Sequence, residues 1–240
     1  TDRLGMPLIE TVTAPDMRTP YEVAEVAQLL RKLVRSTGKV RTGMGAARED
    51  VNVSCEGGTR VELKGVAHNS WIPELSHNEC FRQYALLNIR SLLQKKIPDI
   101  KGWKMTSAEL DFSHPELISK PVRQALDNGL RVFAVNLPGC HGILSHFTQP
   151  GHIFAEEISD RLKVIACIEK PNMTHSEDLA PVMTTSLLLK PSAHIRGADR
   201  LFLIIAEMFD HSYSLKYLAN FLFFINTSHL TRFYISQIIK

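Results

Sequence analysis

The 240-residue chain lacks any paired cysteine spacing: Cys55, Cys80, Cys140 and Cys167 stand far apart along it. Neither a zinc site nor a disulfide framework is indicated, and a reducing, cytoplasmic setting is the expected one. Charge of one sign is scarce as well. The 28 basic and 25 acidic residues leave a net +3, too mild to argue for nucleic acid by itself. Internal repeats and low-complexity segments are missing, and no signal peptide opens the chain. The most apolar stretch, Leu218 to Ile225 and onward to Lys240, is broken by Asn226, His229 and Arg232. A membrane span needs about 20 mostly apolar residues, so no membrane is expected, and this tail reads as a buried helix or a non-native terminus. What remains is a hydrophobic fraction of 44% and a charged fraction of 22%, the balance of a soluble globular protein of one large or two ordinary domains.

Against these absences one pattern stands out. Residues 48–55 and 59–64 alternate polar and apolar side chains around Gly57-Gly58, the pattern of a hairpin with one wet and one buried face. Arg48, Asp50, Asn52 and Ser54 share one face of the first strand, and Arg60, Glu62 and Lys64 share one face of the second. A two-residue turn would set Asn52 against Leu63 and mix the faces. A three-residue loop, Glu56-Gly57-Gly58 with a left-handed glycine, instead sets Asp50 against Lys64, Asn52 against Glu62 and Ser54 against Arg60. The odd loop is therefore expected. The resulting face carries both charge signs beside neutral hydrogen-bonding groups, as a site for a charged polar ligand would. An ordinary solvated sheet face is the plain alternative.

Around the hairpin, residues 8–12 read as a short strand ended by Ala14-Pro15-Asp16. Thr19-Pro20-Tyr21-Glu22 is a capping box with proline at the first helical position. The helix it opens carries Val23, Val26, Ala27, Leu30 and Val34 on one stripe and closes at Gly38. A second helix is expected from about Pro73 to Lys95, with Arg82 and Gln83 near its middle. Beyond Pro115 the reading is of strands at 131–137, 164–168 and 201–206, with a short helix at 154–162, a small α/β module. A domain boundary is placed near residues 114–120. His141, His146, His152 and His175 lack ligand spacing and read as surface or capping residues.

Five motifs in order, over about ninety residues, resemble one family. They are Arg3-Leu4-Gly5-Met6-Pro7-Leu8-Ile9-Glu10, Pro15-Asp16, Arg48-x-Asp50-x-Asn52-x-Ser54, Gly58-Thr59-Arg60-Val61-Glu62-Leu63-Lys64-Gly65, and Arg82-Gln83. The chain resembles GatE, the archaeal-type component of the glutamyl-tRNA(Gln) amidotransferases, and more distantly its bacterial-type relative GatB. Leu137-Pro138-Gly139, Gly142-Ile143-Leu144, Pro150-Gly151, Phe154 and His175-Ser176-Glu177-Asp178-Leu179 resemble the module inserted in GatE, which bacterial aspartyl-tRNA synthetases also carry. The implied fold is α+β: an antiparallel-sheet catalytic cradle (GatB/GatE-like) over 1–115, then a small ferredoxin-like insert of GAD type over 116–207. Residues 208–240 form an apolar tail with no family match. The family's further N-terminal magnesium ligands and C-terminal helical tRNA-binding domains have no counterpart, so an internal fragment is expected.

The resemblance implies an ATP-dependent carbon–nitrogen ligase acting with Mg²⁺. The side-chain carboxylate of tRNA-bound glutamate is phosphorylated, and ammonia displaces the phosphate. Implied partners are Glu-tRNA(Gln), an amidase (GatD-like) protein that supplies ammonia, and a second copy of the chain within a heterotetramer. Glu10 matches the family's magnesium ligand; its plain alternative is a surface glutamate at the end of a buried-looking strand. Arg48 and Lys64 are candidates for phosphate or carboxylate contact, the first by its fork and the second as a point charge. Asp50, Asn52, Ser54 and Glu62 would orient them, against the alternative of a purely structural cross-strand network. Gly43 and Gly45 would let backbone amides approach phosphate, or mark a plain turn. Arg82 and Gln83 face either the cleft or solvent. A non-catalytic fragment or RNA-associated scaffold is the competing function.

Overall fold

The computed structural model describes Gly5 and residues 8–43, 46–99, 101–109, 120–166, 173–177, 200–207 and 234–239. The chain divides into two compact units, Thr1–Leu87 with Ser228–Lys240, and Asn88–Thr227. The boundary expected near 114–120 falls almost wholly on residues outside those described.

The first unit opens with β1 (Ile9–Val12) and α1 (Pro20–Ser36). The capping box sets where α1 begins: the Thr19 hydroxyl accepts the Glu22 N–H at 3.2 Å, and the Glu22 carboxylate accepts the Thr19 N–H at 3.1 Å. Val23 and Ala27, one turn apart, are the buried residues of its stripe. They pack with Met17, Val51, Val53, Val66 and Ile72 into one apolar cluster. Four of these come from the hairpin strands β2 (Ala47–Val53) and β3 (Val61–Val66) and from the first residue of α2 (Ile72–Lys96), which a single 3-10 turn at Asn69–Trp71 precedes.

Two expectations for this unit are corrected. The strand bearing Glu10 is not buried: Leu8, Ile9 and Val12 are 54%, 64% and 56% exposed. Its position explains this, because β1 is the edge strand of a sheet ordered β1-β10-β2-β3. The tail is not helical where it is described. Residues Tyr234–Ile239 form the strand β10, antiparallel to β1 on one side and to β2 on the other. The rest of the tail lies outside the described residues.

The second unit contains β4 (Thr106–Glu109), α3 (Lys120–Asp127), β5 (Arg131–Pro138), the hairpin of β6 (Phe147–Gln149) and β7 (His152–Ile153), α4 (Phe154–Ala166), β8 (Met173–His175) and β9 (Arg200–Glu207). Its main sheet runs β4-β5-β9-β8 and is antiparallel throughout, so the protein is of mixed helix and strand with small antiparallel sheets. Strand β5 lies inside this sheet and is buried from Val132 to Leu137. Val164, expected to start a strand, lies within α4 and is 77% exposed. The buried stripe of α4 is Phe154, Ile158 and Leu162, each at most 4% exposed, and Val164 lies off it.

A carboxylate closes the loop that follows β5. Glu177 accepts the Gly142 N–H at 2.7 Å, the Ser145 N–H at 2.9 Å and the Ser145 hydroxyl at 2.6 Å. Burial pushes its pKa up, but these three hydrogen bonds outweigh that and leave it lowered.

Candidate active site

The hairpin has the parity expected of it. Asn52 stands opposite Glu62 and Val53 opposite Val61, so the polar rows of Asn52 and of Glu62 fall on one face. The turn closes with the Gly58 N–H donating to the Cys55 carbonyl at 2.9 Å, and Gly57 takes φ 79°. Further along, the register shifts: beyond Val51–Leu63 the next pair is Glu49–Val66. The extra residue is Gly65, whose φ of 69° suits glycine and makes this a β-bulge. Without it, Val66 would turn out of the apolar cluster. The bulge also aims the Gly65 N–H at Asp50 Oδ1, 2.7 Å away. A glycine inside a strand was the sequence signal for this bulge.

Asp50 is the hub of the face. Besides the Gly65 amide it meets Arg48 Nη2 at 3.1 Å and Lys64 Nζ at 3.9 Å, and Lys64 also reaches Glu62 at 2.9 Å. The two cations keep much of their surface in solvent, with side chains 48% and 64% exposed. The residues beneath them do not. Asp50, Asn52 and Ser54 are 2%, 1% and 2% exposed, so the face expected to be wet is buried along β2. Strand β2 is also an inner strand, flanked by β10 as well as by β3. Neither polar atom of the Asn52 amide finds a partner among the described residues. A buried polar group without a hydrogen bond costs about 1–3 kcal/mol, so a merely solvated sheet face no longer accounts for this arrangement.

The sheet register also places Glu10. It pairs with Ile238, which pairs with Arg48 on the other side. Directly paired residues share a face, so Glu10 and Arg48 lie in one cross-strand row, two strand spacings or roughly 10 Å apart. Glu10 contributes one carboxylate on an exposed strand. Among the described residues no group of three or more His, Cys, Asp or Glu could hold a metal, so these residues do not make a magnesium site by themselves. Gly43 is exposed with φ 106°, whereas Gly45 lies outside the described residues. Of the second-unit histidines, expected at the surface or in caps, His175 is 5% exposed.

Two features escaped the sequence pattern. Gln83, 5% exposed on α2, fastens the end of β2: its side-chain oxygen accepts the Cys55 N–H at 2.9 Å and its amide donates to the Val53 carbonyl at 3.0 Å. It also donates to Glu79 at 2.8 Å, and Glu79 receives Arg82 at 3.5 Å. Gln83 thus takes the place of a missing strand partner where β2 leaves the sheet, a role no local period announces. Glu49 is the second. It points to the apolar cluster side of β2 at 6% exposure, and burial raises its pKa despite nearby Arg31 and a hydrogen bond from Asn69. Burial raises the Cys55 and Cys80 thiols and pushes Cys140 up to about 12, which disfavours the thiolate form.

Comparison with known proteins bears on the whole of this region. The profile of the GatB/GatE catalytic domain matches residues 1–187. The chain is similar to the GatE-type glutamyl-tRNA(Gln) amidotransferase component of Sulfolobus acidocaldarius, 38% identical over 192 residues, covering 77% of this chain and 29% of that protein. The same-named protein of Pyrobaculum aerophilum is 35% identical over 204 residues, covering 85% and 33%. That of Methanocaldococcus jannaschii is 38% identical over 182 residues, covering 74% and 28%. The chain therefore spans 28–33% of the length of these relatives.

Proposed function

Because the chain belongs to the GatB/GatE catalytic domain family, we propose that it forms part of one component of a tRNA-dependent amidotransferase, a ligase that converts Glu-tRNA(Gln) to Gln-tRNA(Gln). The observation that carries this reading is the buried polar face of β2: Asp50 gathers a backbone amide and two cations beside an Asn52 amide without a partner among the described residues. A cross-strand network serving stability alone gives no reason to bury an amide whose oxygen and nitrogen both lack a partner among the described residues. This disfavours the non-catalytic scaffold.

The chemistry asks for such a face. A carboxylate is a poor electrophile because its leaving group would be oxide, and ATP, when bound, supplies the phosphoryl group that makes the side chain an acyl phosphate open to ammonia. Arg48 and Lys64 would offset phosphate charge with their exposed cations. Asp50 holds both cations in place, Glu62 steadies Lys64, and Asn52 presents an amide donor and acceptor to the bound substrate. Ser54 and the turn glycine Gly43 complete the candidate set. Glu10 would offer one oxygen to magnesium, from the same cross-strand row as Arg48. No step is derived through the ion, because the described residues do not complete its site.

Finer parts of the reading follow from the family. The resemblance supports reading residues 116–207 as a GAD-type, ferredoxin-like insert, and the cytoplasm suits a translation enzyme whose described helices include none able to cross a membrane. An amidase-type partner would deliver the ammonia. The test is the full-length protein with Glu-tRNA(Gln), ATP, magnesium and free ammonia, which bypasses that partner. Gln-tRNA(Gln) is expected to form, and Asp50→Asn is expected to lower its rate about 100-fold by loosening both cations. Absence of product from the unaltered protein, or an unchanged rate in the variant, refutes the assignment.

A further inference from the structure

The positive charge of this chain is concentrated in one place. Arg31, Lys32, Arg35, Lys39 and Arg41 bring five cations and no acid to residues 31–41, so the rest of the chain keeps 23 basic against 25 acidic residues. The whole net charge of +3 is therefore owed to this segment. Three of the five converge. Arg31, Lys32 and Arg35 line a groove of about 210 Å³ together with Gln28 from the same helix and Asn69 from the 3-10 turn.

The groove has a built floor. The Asn69 amide, oriented by its hydrogen-bond network, donates to both carboxylate oxygens of buried Glu49 at 3.1 and 3.3 Å. Glu49 offsets Arg31, the cation that acts on it. Lys32 and Arg35 have no ion-pair partner among the described residues. Along α1 none of the three cations has an acidic residue three or four places away, and Arg31 and Arg35 are themselves a like-charge pair at that spacing. Such a pair destabilises the helix that carries it. The helix dipole favours Arg35 in the last turn, but it does not account for Lys39 and Arg41, which lie beyond the helix. Charge held together against its own repulsion in a concave site matches a polyanion.

We infer that this groove binds the phosphodiester backbone of an RNA strand, and that it is a second contact of the tRNA substrate, away from the polar hairpin face. The inference rests on the amidotransferase reading for the identity of the RNA. The contact is independent of sequence, since guanidinium and ammonium groups on a helix face meet phosphate oxygens and no base edge. Arg31 and Arg35, one helical turn and about 5–6 Å apart at Cβ, are placed to grip neighbouring phosphate oxygens by their forks.

The experiment uses the full-length protein, an unacylated tRNA transcript as probe, and the variant R31Q/K32Q/R35Q. Binding is measured by filter retention over a series of salt concentrations, and amidation with free ammonia is measured in parallel. The variant is expected to bind tRNA at least about 10-fold more weakly near physiological salt, with the log–log salt slope reduced by about 2. R31K/R35K should recover most of this loss, because charge is kept, and circular dichroism should be unchanged since the altered side chains are exposed. The KM for tRNA should rise while the KM for ATP stays fixed. A raised KM for ATP with unaltered tRNA binding would make the groove a nucleotide site and overturn the RNA assignment. Unaltered tRNA affinity and salt slope in a protein that still amidates would overturn the groove alone. An unaltered protein that neither binds tRNA nor amidates would bring down the amidotransferase reading, and this inference with it.

Discussion

Strands β2 and β5 are buried to the same extent and are made of opposite material. Both lie inside antiparallel sheets, and each carries an unbroken buried run, 49–53 in one and 132–137 in the other. In β5 the run is Val-Phe-Ala-Val-Asn-Leu, and transfer of apolar surface from water accounts for it. In β2 the run is Glu-Asp-Val-Asn-Val, and burial there works against three of its five residues. Hydrogen bonds and ion pairs recover part of the cost at Asp50, while the Asn52 amide recovers none among the described residues. The contrast teaches that equal burial can arise from different causes. In β5 burial is what folds the strand; in β2 it is a cost that only the proposed site chemistry would account for.

The comparison breaks most visibly at β5. Phe133, 4% exposed and capped by the Arg131 guanidinium 4.8 Å from its ring, is expected to be indispensable. Phe133→Ala should lower stability by about 3–5 kcal/mol, read from urea unfolding followed by a probe in the second unit. A loss below about 1 kcal/mol would show that β5 is not held by apolar burial.

At β2 the expected outcome has the reverse character. Asn52→Val should leave stability unchanged or raise it by about 1 kcal/mol, because it removes an unpaired buried amide of similar size. Amidation by the full-length protein should fall about 100-fold in the same variant. Retained activity would mean that the polar burial of β2 serves something other than catalysis, and a large stability loss would mean that Asn52 is structurally paired.

Two carboxylates sharpen the comparison through pH, with the smallest effects. Glu177 has a pKa below the ordinary 4.5, so its stabilisation is complete above that value and is lost as pH falls through the folded pKa. Glu177→Gln should cost about 1–2 kcal/mol at neutral pH, the gap to the unaltered protein closing in acid. Glu49 has a pKa raised above 4.5 by burial, so stability is complete below that value and declines as pH rises through the folded pKa. Glu49→Gln should therefore match the unaltered protein in acid and exceed it by about 0.5–1 kcal/mol at high pH, unless lost pairing with Arg31 cancels the gain. Thermal unfolding between acid and neutral pH reads both, and identical pH dependence in the two variants would contradict the opposed shifts.

Much of the first unit was legible in its residues because the forces that shape it are local. The capping box at Thr19 and Glu22 set the start of α1, and the expected helix from about Pro73 to Lys95 differs from the observed Ile72–Lys96 by one residue at each end. The parity argument for the hairpin holds because a period of two leaves only odd loops able to align two polar rows, and Asn52 does stand opposite Glu62. The family, too, was readable from its motifs. Tertiary structure decided the rest. That β2 is an inner strand depends on β10, which comes from the far end of the chain to flank it, a pairing no window of neighbouring residues contains. That Gln83 fastens the end of β2 from thirty residues away, that Asn69 floors a groove walled by Arg31, Lys32 and Arg35, and that Glu177 closes the loop at Gly142 are likewise contacts between distant segments. Local periodicity fixes which side chains share a face of an element. Whether that face is wet, buried or bound depends on which distant backbone and side chains close over it, and only the folded chain determines that.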